Sequence, residues 1–484
     1  MAKSSFFPPG RKDNGWLNEV KTYIFVSGIL NRRRDKMATT YLYAKQKERK
    51  LWLSSLMFYI MIAQIFCALV MDVFGLLHLG NQIIAIGYAG ITIIGVALGI
   101  RYRDGFLPKI GGFDRRYIWY LAWMVIISIA YGLDPIANTT PLFGIAIPTR
   151  LLFVLTLSLM LIVSMVFTNT DYRQYTNYLF PLMIIILFVN FVFIIRAVSV
   201  YGNAIRSTNI TASMGLSSIL FGLPAYAIVY GFAILSPLAF VFVMLTKGDI
   251  YRKHAFIIAA VLAVSILVSQ LATATIGMVL AIPLIYALKQ KKGIKIVLLL
   301  LLALSAILLI VTDGIVEVLL LLEKLVPDDL AWNEKLLDMA EGFLDNEGSI
   351  LQSRGELYLE SWDTFKAAPL FGAIFEGKSY YYGGHSTFFD MLATVGLFGT
   401  VPFLMFIFES YKHAVRQLKT REGLVSVQAG YIIFLLFFIM KNTISSYAIF
   451  IATFVILPIL AQKIDEYAVE KYEDEKGYFD ENEK

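Results

Sequence analysis

Four histidines limit where an imidazole could act. His254 and His413 stand in lysine- and arginine-rich loops, and His78 lies in a short loop. His385 alone combines a large acidic loop with the start of an apolar helix. Imidazole titrates near neutrality and suits general-base work. Before it the chain reads Ser353-Arg354-Gly355-Glu356, then Trp362, Pro369 and Gly372, then Tyr380-Tyr381-Tyr382-Gly383-Gly384-His385-Ser386. Gly396 and Gly399 follow in the next apolar run. Arginine's planar fork pairs with phosphate oxygens and does not deprotonate, so Arg354 supplies a fixed cation upstream of a base. It also has Glu356 and Glu360 close by as ordinary ion-pair partners. Gly383-Gly384 lets the backbone turn tightly ahead of the imidazole.

Other chemistries are absent from the sequence. There is no Walker A loop, no GxGxxG, no HExxH and no CxxC. The single cysteine, Cys67, lies in an apolar run and rules out a disulfide framework within the chain. Paired acids for a metal are also poorly placed. The loop Asp72–Gln82 holds one acid, and Asp328-Asp329 are adjacent, so an extended backbone would point them apart.

These residues must be positioned by membrane helices. The 484 residues are 58% hydrophobic and 16% charged, with a mean hydropathy of +0.68. A soluble domain carries roughly 25% charge, and the apolar residues here come in runs long enough to span a bilayer. The net charge of +6 reads as membrane orientation and not as a nucleic-acid signal. The expected fold is an all-α polytopic membrane protein with twelve spans. The first six run Leu51–Met71, Gln82–Ile100, Tyr117–Leu133, Leu151–Thr168, Tyr178–Ile195 and Leu223–Thr246. The second six run Ala255–Leu271, Thr273–Leu288, Ile296–Thr312, Thr387–Phe408, Val425–Met440 and Ser445–Ala461. Ala255–Leu288 is apolar throughout, and the polar stretch Ser269–Thr273 marks the turn that divides it.

Basic loops test this count. The N-terminal segment, Arg101–Arg116, Lys247–His254, Lys289–Lys295 and Lys412–Arg421 all fall on one side of the twelve-span arrangement, which is therefore the cytoplasmic side. The expected organisation is a basic cytoplasmic segment at 1–50, spans one to nine at 51–312, an outer loop at 313–385, the last three spans at 386–462 and a cytoplasmic tail at 463–484. Trp16–Leu30 could lie as a short amphipathic helix on the inner surface. The outer loop, Asp313–His385, holds 14 acidic and five basic residues, so it should stand in water away from anionic lipid. Helical periodicity over Leu330–Leu344 and Ile350–Ala367 predicts a small helical cap. The tail Asp465–Lys484 reads as a solvated extension.

The order Arg354, Trp362, Pro369, Gly372, His385, placed in one large outer loop before a helix with small residues, resembles the O-antigen ligase and Wzy-type polysaccharide polymerase superfamily. The resemblance implies a GT-C-like, inverting glycosyltransferase of the cytoplasmic membrane, with no cofactor and both termini inside. It implies a glycan donor and acceptor carried on polyprenyl diphosphate, membrane lipid as surroundings, and a chain-length regulator as a candidate partner. Arg354 would then neutralise the lipid-diphosphate leaving group, and His385 would take the proton of the acceptor hydroxyl. A second arginine is expected at an outer helix mouth. Arg206, in Arg206-Ser207-Thr208-Asn209, fits a short arginine–asparagine pattern, and Arg196 and Arg150 are the alternatives. Asn209, Trp362, Tyr380, Tyr381 and Tyr382 would line the sugar site, although tyrosines also form ordinary interfacial belts. One departure stands out: Ser269–Thr275, where many such proteins carry a further arginine, has none.

Three functions are compatible with these features: a polymerase of repeat units, a ligase moving a finished glycan to a lipid, cell-wall or protein acceptor, and a transporter or lipid flippase. A transporter needs ionisable groups at mid-membrane, and these helices are nearly free of them there. If cations replace a metal at the leaving group, glycan transfer should persist undiminished in EDTA. Loss of transfer in EDTA, with recovery on adding a divalent cation, would contradict that expectation.

Overall fold

The computed structural model describes residues 115–133, 139–142, 145–148, 173–201, 226–269, 271–298, 320–327, 333–334, 336–337, 350–376, 386–440 and 447–482. All belong to one compact unit, Met57–Lys484; the other unit, Met1–Leu56, lies outside the described residues. So do the expected spans Leu51–Met71, Gln82–Ile100 and Leu151–Thr168, most of Ile296–Thr312, and the expected helix Trp16–Leu30.

In chain order the elements are α1 (Arg115–Leu133), a short antiparallel hairpin of β1 (Thr139–Leu142) and β2 (Ile145–Pro148), α2 (Arg173–Tyr201), α3 (Tyr226–Leu245), α4 (Arg252–Val268) and α5 (Ala272–Leu288). Then come α6 (Ile350–Ala367), α7 (Gly372–Phe375), α8 (Thr387–Arg416), α9 (Arg421–Met440), and a final rod of α10 (Tyr447–Ile451), a π-helical turn (Ala452–Ile456) and α11 (Leu457–Asn482). The described residues are thus helical apart from one hairpin, which the apolar pattern did not announce. The break between α4 and α5 falls in the polar stretch Ser269–Thr273, as expected, and α6 has the expected bounds.

Ile228–Leu245, Thr387–Arg416 and Arg421–Met440 are long and apolar enough to cross a membrane among the described residues. The chain is a helical membrane protein. α3 is buried on nearly every side, from Ile228 to Leu238, as suits a helix that is apolar all round. α8, α9 and the final rod meet through aromatic rings. Phe434 lies 5.2 Å from Phe454, and Phe403 lies 5.5 Å from Phe438 and 5.9 Å from Phe450. α1 packs on α8 through Trp123, whose ring centroid is 4.7 Å from that of Phe403, and Tyr120, 5.0 Å from Phe406.

The tail corrects the sequence reading. Asp465 onward continues the helix to Asn482, and its first turns are packed and not free in water. Two of its charges are used at helix ends. The buried carboxylate of Asp465 accepts from the backbone N–H groups of Lys419 (2.9 Å) and Thr420 (2.6 Å) just before α9, where a negative charge is favoured. The Lys471 ammonium donates to the Leu245 carbonyl (2.7 Å) at the end of α3, where a positive charge is favoured. The Tyr467 hydroxyl donates to Asp249, and this bond holds the Asp249 carboxyl below the usual carboxylate range. Ile464 and Ala468 are buried on the same side of the helix.

α8 is broken. Gly396 has φ 59° and ψ −162°, a backbone conformation open to glycine and strained for other residues. The break is occupied by the turn after α6. Leu397 N–H donates to the Pro369 carbonyl (3.0 Å) and Phe398 N–H to the Leu370 carbonyl (2.9 Å). Gly372, also at positive φ (81°), closes the other side. A Cβ on Gly396 would sit 2.6 Å from both the Gly372 nitrogen and the Leu370 oxygen. Gly396→Ala should therefore destabilise the protein by at least about 2 kcal/mol, combining left-handed strain with overlap against backbone. Gly293→Ala, where a Cβ meets nothing within 4 Å, should leave thermal unfolding in detergent almost unchanged. Equal behaviour of the two variants would contradict this account of the break.

Candidate functional site

The site is built on α6 and the first turns of α8. Ser386 caps α8. Its backbone is extended (φ −132°, ψ 117°), and its hydroxyl accepts from Phe389 N–H at 3.2 Å. Asp390 follows in the first turn, where the helix end favours a negative charge.

α6 runs alongside α8 in parallel register, and three levels of contact fix that register. The Tyr358 ring stacks on Phe389, centroids 5.6 Å apart. The Ser361 hydroxyl donates to the Asp390 carboxylate at 2.9 Å. Pro369 and Leu370 accept from Leu397 and Phe398. Rising residue numbers on one helix meet rising numbers on the other. Tyr358 also reaches a third element, its hydroxyl donating to the Met440 carbonyl at the end of α9 (3.1 Å). Ser361 is fully buried.

Arg354 lies in α6, four residues before Tyr358 and seven before Ser361, so the three share one helical stripe. Its backbone is helical, and its side chain lies outside the described ones. Trp362 is 39% exposed, with its ring 5.1 Å from Phe365 and edge-on to Phe389 at 6.3 Å. It therefore packs at the seam between α6 and α8 while keeping one edge open. Arg196 is exposed on α2, which continues beyond it to Tyr201. It lies five residues before the end of that helix. His385, Tyr380, Tyr381, Tyr382, Arg206, Asn209 and Arg150 lie outside the described residues. Among the described residues, no group of three His, Cys, Asp or Glu side chains is placed to hold a metal ion.

The turn that lacks the expected arginine is largely buried. Ser269 and Thr273 are 2% and 6% exposed, and the Ser269 hydroxyl donates to the Ile266 carbonyl (2.6 Å).

A family model described as O-Antigen ligase matches residues 256–404. Residues 256–404 carry an O-antigen ligase family domain. No curated protein matches the chain. The O-antigen ligase domain begins in α4, contains the whole of α6 and the turn that enters the break in α8, and ends just beyond that break. Over the matched residues the chain is similar to a family of glycosyl-transfer type.

Three residues of the α6–α8 seam were missed from sequence: Tyr358, Ser361 and Asp390. The spacing of Tyr358 and Ser361 from Arg354 was a readable signal, since they fall on one face of a predicted helix. Asp390 had a weaker one, as an acid at the fourth residue of an apolar span. Tyr358→Phe should cost about 1 kcal/mol by removing the bond to Met440. Tyr358→Ala should cost about 3 kcal/mol or more by also losing the stacked ring. Chemical unfolding of the purified protein in detergent separates the two, and equal losses would show that the hydroxyl contributes nothing.

Proposed function

We propose that the protein is a polysaccharide polymerase that joins repeat units carried on polyprenyl diphosphate at the outer face of the cytoplasmic membrane. In this reading the acceptor hydroxyl oxygen attacks the anomeric carbon of the donor sugar. The bond from that carbon to the diphosphate oxygen breaks, and its electron pair leaves with the lipid diphosphate. The hydroxyl proton passes to the imidazole of His385. Arg354 neutralises charge on the departing phosphates, where a planar fork held near the membrane surface is well suited. A second arginine, Arg206 by preference, shares that task. Attack opposite the leaving group inverts the anomeric centre. The open edge of Trp362, with Tyr380, Tyr381, Tyr382 and Asn209, receives sugar rings.

The register of α6 on α8 carries this reading. Tyr358 is level with Phe389 and Ser361 with Asp390. One turn further toward both N-termini lie Arg354 and the residues at the Ser386 cap. His385 immediately precedes that cap in sequence. The register supports the reading because it brings the backbone of Arg354 and the cap that follows His385 to the same end of one two-helix seam.

The family's description favours a ligase as the second reading. Deletion separates the two. Accumulation of single-repeat lipid intermediates indicates a lost polymerase, whereas full-length unattached chains indicate a lost ligase. Arg354→Ala and His385→Ala should each abolish long-chain product on gels of surface polysaccharide, a loss of about 100-fold or more. Long chains persisting in both variants at normal protein level would remove the catalytic assignment.

A further inference from the structure

We propose that Asp390 is a positioning residue for this reaction, acting through its bond to Ser361 to hold the Arg354 end of α6 in place. The proposal rests on the reading of Arg354 given above.

The argument begins with the cost of a carboxylate in this position. α8 is an apolar helix, and an acid in it is expensive unless partnered. Asp390 is the only acid in its outer turns. The helix end compensates part of that cost. A hydroxyl from another helix offsets more of it: Ser361 Oγ, fully buried, at 2.9 Å. The near neighbours of Asp390, Phe388 and Phe389, turn apolar rings to Phe438 of α9 and to Tyr358 of α6.

What the bond supplies is a further fixed point, beside the clasp and the Tyr358 contacts. The clasp of Pro369 and Leu370 on Leu397 and Phe398 anchors only the C-terminal end of α6. Arg354 stands thirteen residues before the end of that helix at Ala367, about 20 Å away at 1.5 Å per residue. An angular play of about 10° at a single anchor would carry it roughly 3.5 Å sideways over that length. Misplacement of about 1 Å can cost 100-fold in rate. A pin at Ser361, seven residues or about 10 Å from Arg354, adds to the Tyr358 contacts in shortening the free arm and opposes rotation of α6 about its own axis. The clasp alone cannot oppose that rotation. Tyr358, bonded to Met440, braces the same stripe from the α9 side.

The pin is a hydrogen bond, so the acceptor oxygen matters and the charge does not. Asp390→Asn keeps an oxygen able to accept from Ser361; Asp390→Ala and Ser361→Ala do not. We would assay the purified full-length protein in lipid nanodiscs with a polyprenyl-diphosphate oligosaccharide as both donor and acceptor. Asp390→Ala and Ser361→Ala should each lower turnover at least about tenfold, with Asp390→Asn within about threefold of the parent. The Ser361→Ala/Asp390→Ala pair should be no worse than the worse single variant, as expected for two ends of one interaction.

A second measurement does not depend on activity. In a Cys67→Ser background, spin labels at Glu356→Cys and Leu397→Cys, both exposed, report the swing of α6. Asp390→Ala should broaden their distance distribution and Asp390→Asn should not. Asp390→Asn as inactive as Asp390→Ala, Ser361→Ala with parental turnover, or an unchanged distance distribution in Asp390→Ala would each overturn the proposal. A parent protein that transfers no glycan from this donor would instead overturn the polymerase reading, and the label distances would still decide whether Asp390 positions α6.

Discussion

The structure around the site depends on a backbone-to-backbone clasp between the turn Pro369–Gly372 and the break in α8 at Gly396. A helix interior has no free N–H groups to offer. α8 offers two because Gly396 leaves the helical region, and the carbonyls of Pro369 and Leu370 take them. The approach is so close that neither glycine has room for a Cβ. A clasp of this kind is indifferent to side-chain chemistry at Leu370, Leu397 and Phe398. It is demanding at the two glycines. The turn's carbonyls end in a broken membrane helix, so the helix that bears Arg354 is tied directly to the helix that follows His385.

Everything else in the seam elaborates that attachment. Stacking of Tyr358 on Phe389 and the Ser361–Asp390 bond extend the parallel register from the clasp toward the N-terminal ends of both helices. The Tyr358–Met440 bond ties the same helix to α9. Rigidity suits a reaction in which catalysis comes from fixed charges. A preorganised cation stabilises a developing phosphate charge only if it need not move to meet it. At the other end of the bundle, α11 uses the same economy. Asp465 and Lys471 meet exposed helix ends of opposite polarity, so one helix fastens two turns that are distant in sequence.

Polar and apolar demands are divided differently along the chain. α3 is buried on nearly all sides. α6 is exposed on the side of Glu356, Leu359 and Asp363 and buried at Ser361. That amphipathic character is why its limits could be read from periodicity, whereas the hairpin at Thr139–Pro148 carries no such pattern and was not anticipated.

The sequence by itself determined the helical membrane character, the division of α4 from α5 at Ser269–Thr273, the bounds of α6 and the order Arg354, Trp362, Pro369, Gly372, His385. All of these follow from local quantities: hydropathy over a span length, periodicity on one helix, and spacing in a loop. Only the tertiary structure decided that Gly396 breaks α8, that the tail continues as a packed helix, and that Asp390 answers to Ser361. The physical reason is the same in each case. Apolar residues flank Gly396 on both sides, so hydropathy runs through the break without a mark. The charges of the tail look like solvated charges until the helix ends they meet are in view. A lone acid at the start of an apolar helix has no visible partner until a residue 29 positions earlier is folded against it.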